Sequence, residues 1–375
     1  MKPAVQMIIA PDHRLPVGKS RTTADLISDP PRPLYTRSVM PFRAVVLPFA
    51  FLWIAATTVA FGVEGSVPDS KGNAPATVPE WVFPTNTPAP ADAPVHDLTT
   101  PLRVPGSRAT YTEAQLADRF SAPGWFPQSH SAMPEIVAYG RKPDVYACGY
   151  CHTPAGQGRP ENASLAGLPA PYIIQQVADF KSGARRSASP GSFGPVDLMI
   201  SLAAHATDAE VASAAAYFSQ QHPLPRVRVV ESDRVPRSRV VGWVYAAVPG
   251  GADEPLGERL LEFAPDPARH EERDDAMQYV TYVPRGSLQR GQAIAMNGLG
   301  GPTTACITCH GNTLQGVGLV PRIAGRSPTY LIRQLFAFRN GVRTGSNGQP
   351  MLPVVAGLTT RGMIDVVAYA GSLQP

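Results

Sequence analysis

Cys148-Gly149-Tyr150-Cys151-His152 and Cys306-Ile307-Thr308-Cys309-His310 contain all four cysteines of this 375-residue chain. The second copy starts 158 residues after the first, and the register holds well beyond the motif. Gly140 meets Gly298, Gln157-Gly158 meets Gln315-Gly316, and Ala166-Gly167 meets Ala324-Gly325. Tyr172, Gln176, Phe180, Gly183 and Arg185 then fall on Tyr330, Gln334, Phe338, Gly341 and Arg343 without a gap. One unit is present twice, so two small domains of a single fold are expected.

CxxCH is the spacing of covalent c-type haem attachment. Two thiols one helical turn apart can each capture a vinyl group of the same porphyrin, and the adjacent histidine faces the iron. Cys148, Cys151, Cys306 and Cys309 are therefore candidate attachment residues, His152 and His310 candidate iron ligands, and two covalently attached haem c groups the expected cofactor. A structural zinc site also uses CxxC pairs, but it does not require His after both of them. A thioredoxin-like redox pair would need a βαβ pattern that neither motif has around it.

An iron held by one His takes a second axial ligand unless it is to bind substrate. Met199 lies 18 residues before Tyr217, and Met351 lies 18 before Tyr369, so the two methionines are matched in the two repeats. Met363 has no counterpart and sits in a helical run, 361–372, as a core residue. His205 stands just ahead of a helix start and reads as a turn or surface residue. That helix opens with Thr207-x-x-Glu210, the capping signature, and carries Val211, Ala214 and Phe218 on one face. Pro350 and Pro353 suggest an extended loop around Met351. His/Met ligation raises the reduction potential of a haem.

Between haem motif and methionine the pattern predicts a helix in each copy, 171–182 and 328–340, closed by Gly183 and Gly341. Tyr172 and Tyr330 head a stripe at four-residue spacing that packs as core near the porphyrin edge. Arg185 and Arg343, just beyond, either pair with haem propionates or are solvated surface groups.

The chain resembles a dihaem class I c-type cytochrome, two short bacterial cytochrome c domains in tandem. Cys306-x-x-Cys309-His310-Gly311, Gly316, Gly318, Pro321-x-Ile323-Ala324-Gly325, Tyr330-Leu331, Gln334-Leu335, Phe338, Gly341, Arg343 and Met351 carry the likeness. It implies a mainly α fold, two cytochrome c-like helical domains around covalent haems, at 109–222 and 283–375. It also implies that the carbonyl of Pro321 accepts the Nδ1–H of His310 and so orients the ring. The first copy departs from the family pattern, with Thr153 in place of the glycine and Ala163 in place of the proline. Its His-to-Met path is also longer, 47 residues against 41. Unequal haem potentials are expected.

The rest of the chain falls outside the repeat. Residues 223–282 form a β-containing insertion, with strands expected at 227–230 and 240–248 and a loop or short helix at 253–275. It is read as a docking element or a decorated linker, ahead of an arm covering a haem edge. Residues 66–108 form a Pro-rich tether, with nine prolines up to Ser107. Its Trp81-Val82-Phe83-Pro84 is read as scattered surface aromatics in preference to a docked anchor. Residues 1–65 are a basic segment followed by an uncharged apolar run, 44–63, which is either a cleaved signal peptide or a retained inner-membrane anchor. Both place the remainder in the periplasm. Met40-Pro41-Phe42-Arg43 would make a normal signal start by itself, so translation is expected from Met40.

Pro (41) and Gly (33) make up roughly a fifth of the chain, against about 12% in average proteins. With 17% charged and 43% apolar residues, the composition excludes a coiled coil and a highly charged disordered chain. The net charge of +4 invites a nucleic-acid reading, but residues 1–62 hold seven basic and three acidic residues. The remaining 26 basic and 26 acidic residues balance, and no nucleic-acid partner is expected. The expected function is single-electron transfer between redox proteins, namely a dehydrogenase, an oxidase or another cytochrome. The alternative is a dihaem peroxidase-type enzyme, which would need one open haem site. Gas sensing would need an output module that the sequence lacks.

Overall fold

Each CxxCH motif forms one helical turn, and longer helices stand around it. The structure, a computed structural model, describes residues 77–86 and 97–375. The expectations on the segment 44–63, on signal cleavage and on Met40 lie outside the described residues. Among those residues no helix is long and apolar enough to cross a membrane.

In the first domain β1 (Pro101–Leu102) pairs antiparallel with β2 (Tyr111–Thr112), so the supposed tether is partly structured. Six helices follow: α1 (Glu113–Ala117), α2 (Glu135–Ala138), α3 (Cys148–His152), α4 (Ala170–Ser182), α5 (Gly194–His205) and α6 (Asp208–Ser219). Helix α4 matches its expected range to one residue and stops where Gly183 takes φ 79°. A full capping box starts α6: Thr207 Oγ1 accepts from the Glu210 N–H at 3.3 Å, and Glu210 Oε2 accepts from the Thr207 N–H at 2.8 Å. Ile136, Val137, Leu168, Ile173, Ala215 and Phe218 fill the core between α2, α4 and α6.

The insertion is a folded layer, which corrects the reading of a decorated linker. It comprises β3 (Val227–Glu231), β4 (Arg234–Pro236), β5 (Ser238–Val241), β6 (Val244–Ala247), β7 (Asp253–Pro255), β8 (Leu261–Phe263), α7 (Pro267–Glu271) and β9 (Tyr279–Val283). Five strands form one sheet in the order β3-β9-β8-β6-β5, and β4 pairs with β7 separately. The single strand expected over 240–248 is instead the end of β5, a turn and β6, which pair as a hairpin. Val241 pairs with Val244 across a two-residue turn in which Gly242 and Trp243 have φ of 56° and 68°. Positive φ at both central residues gives the turn whose twist matches antiparallel strands. The stretch 253–275, expected as loop or short helix, contributes β7, β8 and α7.

The second domain is built from α8 (Ser287–Asn297), α9 (Ile307–His310), α10 (Pro328–Arg339), α11 (Met351–Ala356) and α12 (Thr360–Ser372). Helix α8 crosses α12 so closely that a Cβ at Gly291 would lie 1.9 Å from the Asp365 carbonyl oxygen. Met363 is fully buried in α12, as expected of a core residue. The sheet rests on α12 and α10 through β3, β8 and β9.

The arm at 77–86 is docked, which corrects the surface reading of Trp81-Val82-Phe83-Pro84. Val82 and Phe83 are buried in the core of the second domain, with Trp81 half-buried beside the sheet. Arg333 Nε donates to the Val82 carbonyl at 2.7 Å, and Tyr245 Oη to the Trp81 carbonyl at 3.2 Å. Burying an aromatic or branched side chain is worth about 1.5–3 kcal/mol, enough to hold a short extended segment in place.

Candidate metal centres

The two attachment turns have the same backbone environment. His152 Nδ1 donates to the Ala163 carbonyl and His310 Nδ1 to the Pro321 carbonyl, each at 2.8 Å and each eleven residues on. This bond fixes the tautomer and leaves Nε2 free for a metal. Burial depresses both imidazole pKa values and so favours the neutral ligating form. The departures in the first copy do not disturb this geometry. Thr153 holds φ 60° and ψ 153° where Gly311 has 81° and 159°. Its buried hydroxyl accepts from the Gln157 N–H at 3.1 Å.

In the first domain Cys148, Cys151, His152, Tyr172 and Met199 all line one cavity of about 380 Å³. Met199 reaches it from α5, so the ligand candidate stands on a helix. In the second domain Cys306, Tyr330 and Met351 pack half-buried against the buried core cluster of that domain. Met351 is the first residue of α11, which corrects the expected extended loop. Pro350 and Pro353 are compatible with this helix because the N–H groups of its first turn have no intrahelical acceptor. His205, at the end of α5, is exposed and bonds through Nδ1 to its own turn at Ser201.

Arg185 and Arg343 are buried, which corrects the alternative of solvated surface groups. They cross between the domains with near two-fold symmetry. Arg185 donates to Tyr330 Oη at 3.0 Å, Gln334 Oε1 at 2.9 Å and Gln176 Oε1 at 2.9 Å. Arg343 donates to Tyr172 Oη at 3.1 Å, Gln176 Oε1 at 2.8 Å and Gln334 Oε1 at 3.1 Å. Each guanidinium therefore reaches the tyrosine of the other domain, and the two strands of chain carrying them bridge at Arg185 and Arg343. Among the described residues neither forms an ion pair with a carboxylate.

Three further arginines were not legible in the sequence. Arg159, Arg326 and Arg333 line the first cavity, and Arg159 Nε, Arg326 Nε and Arg333 Nη2 are buried without a hydrogen-bond partner. Glu161 and Glu210 are the carboxylates lining that cavity, against seven arginines. An apolar slot with two thiols and a neutral imidazole at one side, and unpaired guanidinium N–H groups in its wall, suits a porphyrin carrying two propionates. Zinc is not accommodated in the same way: among the described residues no three His, Cys, Asp or Glu side chains converge.

No family model matches the chain. Cytochrome c-554(548) of Halomonas halodenitrificans is 38% identical over 70 residues, which are 18% of this chain and 84% of that protein. This chain belongs to the c-type cytochromes. The thiosulfate dehydrogenase electron acceptor of Thiomonas intermedia is 27% identical over 236 residues, 62% of the cytochrome described here and 81% of its relative. Cytochrome c4 of Azotobacter vinelandii is 26% identical over 250 residues, 66% and 92% of the two chains. Among solved structures, reduced recombinant cytochrome c4 from Pseudomonas stutzeri is 24% identical over 60% of this chain and 93% of that one, with a TM-score of 0.38. The cytochrome is a dihaem electron carrier with two covalently attached haem c groups. The expectation of a peroxidase-type enzyme finds no support in these relatives, whose names are those of electron-transfer proteins.

Proposed function

We propose that this cytochrome carries single electrons between redox proteins in the periplasm, acting as the electron-accepting subunit of a dehydrogenase or as the donor to an oxidase. The observation that carries the reading is a duplication: each domain has CxxCH, a carbonyl-bound histidine and a methionine 18 residues before a tyrosine. Cys148 and Cys151 hold the first haem with His152 and Met199 as axial ligands. Cys306 and Cys309 hold the second with His310 and Met351. Bound haem supplies a one-electron iron couple. The protein orients each imidazole through the carbonyls of Ala163 and Pro321 and supplies thioether sulfur, which favours the reduced iron. Arg185 and Arg343, with Tyr172 and Tyr330, offer N–H and O–H donors to propionates where the two domains meet.

The name of one relative, an electron acceptor of thiosulfate dehydrogenase, supports an oxidoreductase as the donor. The apolar run at 44–63 supports export, with the run either removed or kept as an inner-membrane anchor. Purified holoprotein tests the proposal. Carbon monoxide and peroxide are expected to leave the reduced and oxidised spectra unchanged, with no peroxide turnover. A haem that binds either ligand would overturn the assignment of a methionine to its iron and restore the enzyme alternative.

A further inference from the structure

Phe193, the residue before α5, is the meeting point of segments far apart in the sequence. Its buried ring stands edge-on to Phe83 of the arm at 5.2 Å and to Trp243 of the β5–β6 turn at 5.4 Å. Arg333 of α10 lies 5.4 Å over Phe83 and 4.7 Å over Phe193. All four residues line the first cavity. Gly194 opens α5, and a Cβ there would lie 2.9 Å from Trp243 Cζ2, so the indole sits directly on the first turn of the helix that carries Met199.

The wall is itself held. The Trp243 N–H donates to Asn86 Oδ1 of the arm at 3.1 Å. The Gly242 carbonyl accepts from Nε2 of the buried His270 at 2.8 Å, and His270 Nδ1 lies 3.0 Å from Tyr279 Oη on β9. Counting back from the methionines, Phe193 and Gly194 correspond to Gly345 and Ser346 in the second domain, neither of them aromatic. In the second domain Cys309 is exposed, and Val317 and Leu319 are 60% and 57% exposed.

We infer that Trp243 and Phe83 are positioning residues for the first haem: they fix the Met199 helix and exclude water, making this the haem of higher reduction potential. Oxidation adds a positive charge at the iron, which a dry site surrounded by guanidinium groups disfavours. A firmly held thioether ligand acts in the same direction. The inference rests on the assignment of Met199 as a ligand, and its test separates the two.

The holoprotein is titrated reductively while the thioether-to-iron charge-transfer band of the oxidised form is followed. Met199→His marks which of the two haems contributes which part of that band. In Trp243→Ala the higher potential is expected to fall alone. The equilibrium constant for reducing that haem should drop about tenfold, the lower end of losing an outer-shell support, or ~59 mV for one electron. Trp243→Phe should restore most of it, and Phe83→Ala provides a second route should the alanine variant not fold. Potentials that do not move, that move together, or that show the Met199 haem to be the lower one would overturn the inference. A wild-type band that Met199→His leaves unchanged would instead overturn the Met199 assignment.

Discussion

Thr153 adopts a backbone conformation that is close to glycine-only, and Gly311 occupies the same place in the other domain. Its hydroxyl compensates by accepting the Gln157 N–H. Thr153→Ala keeps the strained φ and loses that acceptor, so it should destabilise the protein by about 1 kcal/mol in chemical denaturation. Thr153→Gly also loses the acceptor but relieves strain of about 1–3 kcal/mol and should be the milder change. Equal losses in the two variants would contradict the strain argument. At this scale much of the candidate site was legible, because CxxCH and the matched methionines are local patterns carried twice. Arg159, Arg326 and Arg333 were not, since each lies alone in sequence and meets the cavity only through the tertiary fold.

Helices followed their local signals closely. Thr207 and Glu210 announced α6, and the structure adds Arg141, whose Nε donates to Glu210 Oε1 at 2.6 Å. Thr207→Ala should cost about 1 kcal/mol. The Arg141 guanidinium, with the Thr207 donors, holds the Glu210 carboxyl down at about 2. A carboxyl depressed on folding contributes fully above its unfolded value near 4.5, and that contribution is lost as pH falls from there toward 2. Acid unfolding of the Thr207→Ala and Arg141→Ala variants should therefore begin at higher pH than in the parent, and coincident acid transitions would contradict the coupling. The sheet was less legible. Val240-Val241-Gly242-Trp243-Val244 is rich in β-formers, and its turn puts Trp243 where Asn or Gly usually signals a hairpin. A bulky residue at positive φ carries no turn signal, so one long strand was the natural reading. Trp243 tolerates the position because its ring packs on Gly194 and Phe193.

The whole molecule couples two similar domains through unlike surroundings. The arm and the insertion both build on the first cavity. Arg273, past the end of α7, stacks 3.6 Å from the ring centroid of Tyr150 inside the first CxxCH, and Trp125 Nε1 donates to the Glu272 carbonyl at 2.7 Å. Among the described residues nothing comparable lies over Val317 and Leu319, the counterparts of Arg159 and Glu161. Sequence comparison between the repeats exposes that substitution of an ion pair by apolar residues. It does not show that the charged pair is buried, because the cover comes from residues more than a hundred positions away. The net positive charge resides in residues 1–62, and the haem-bearing remainder balances 26 charges of each sign. The central claim is that this remainder stores two electrons on two independent irons. An anaerobic reductive titration of the mature holoprotein, with its intact mass, tests it most directly. The account predicts the mass of the chain plus two haems, and two one-electron steps at separate potentials. One haem per chain, or a single electron taken up, would contradict it.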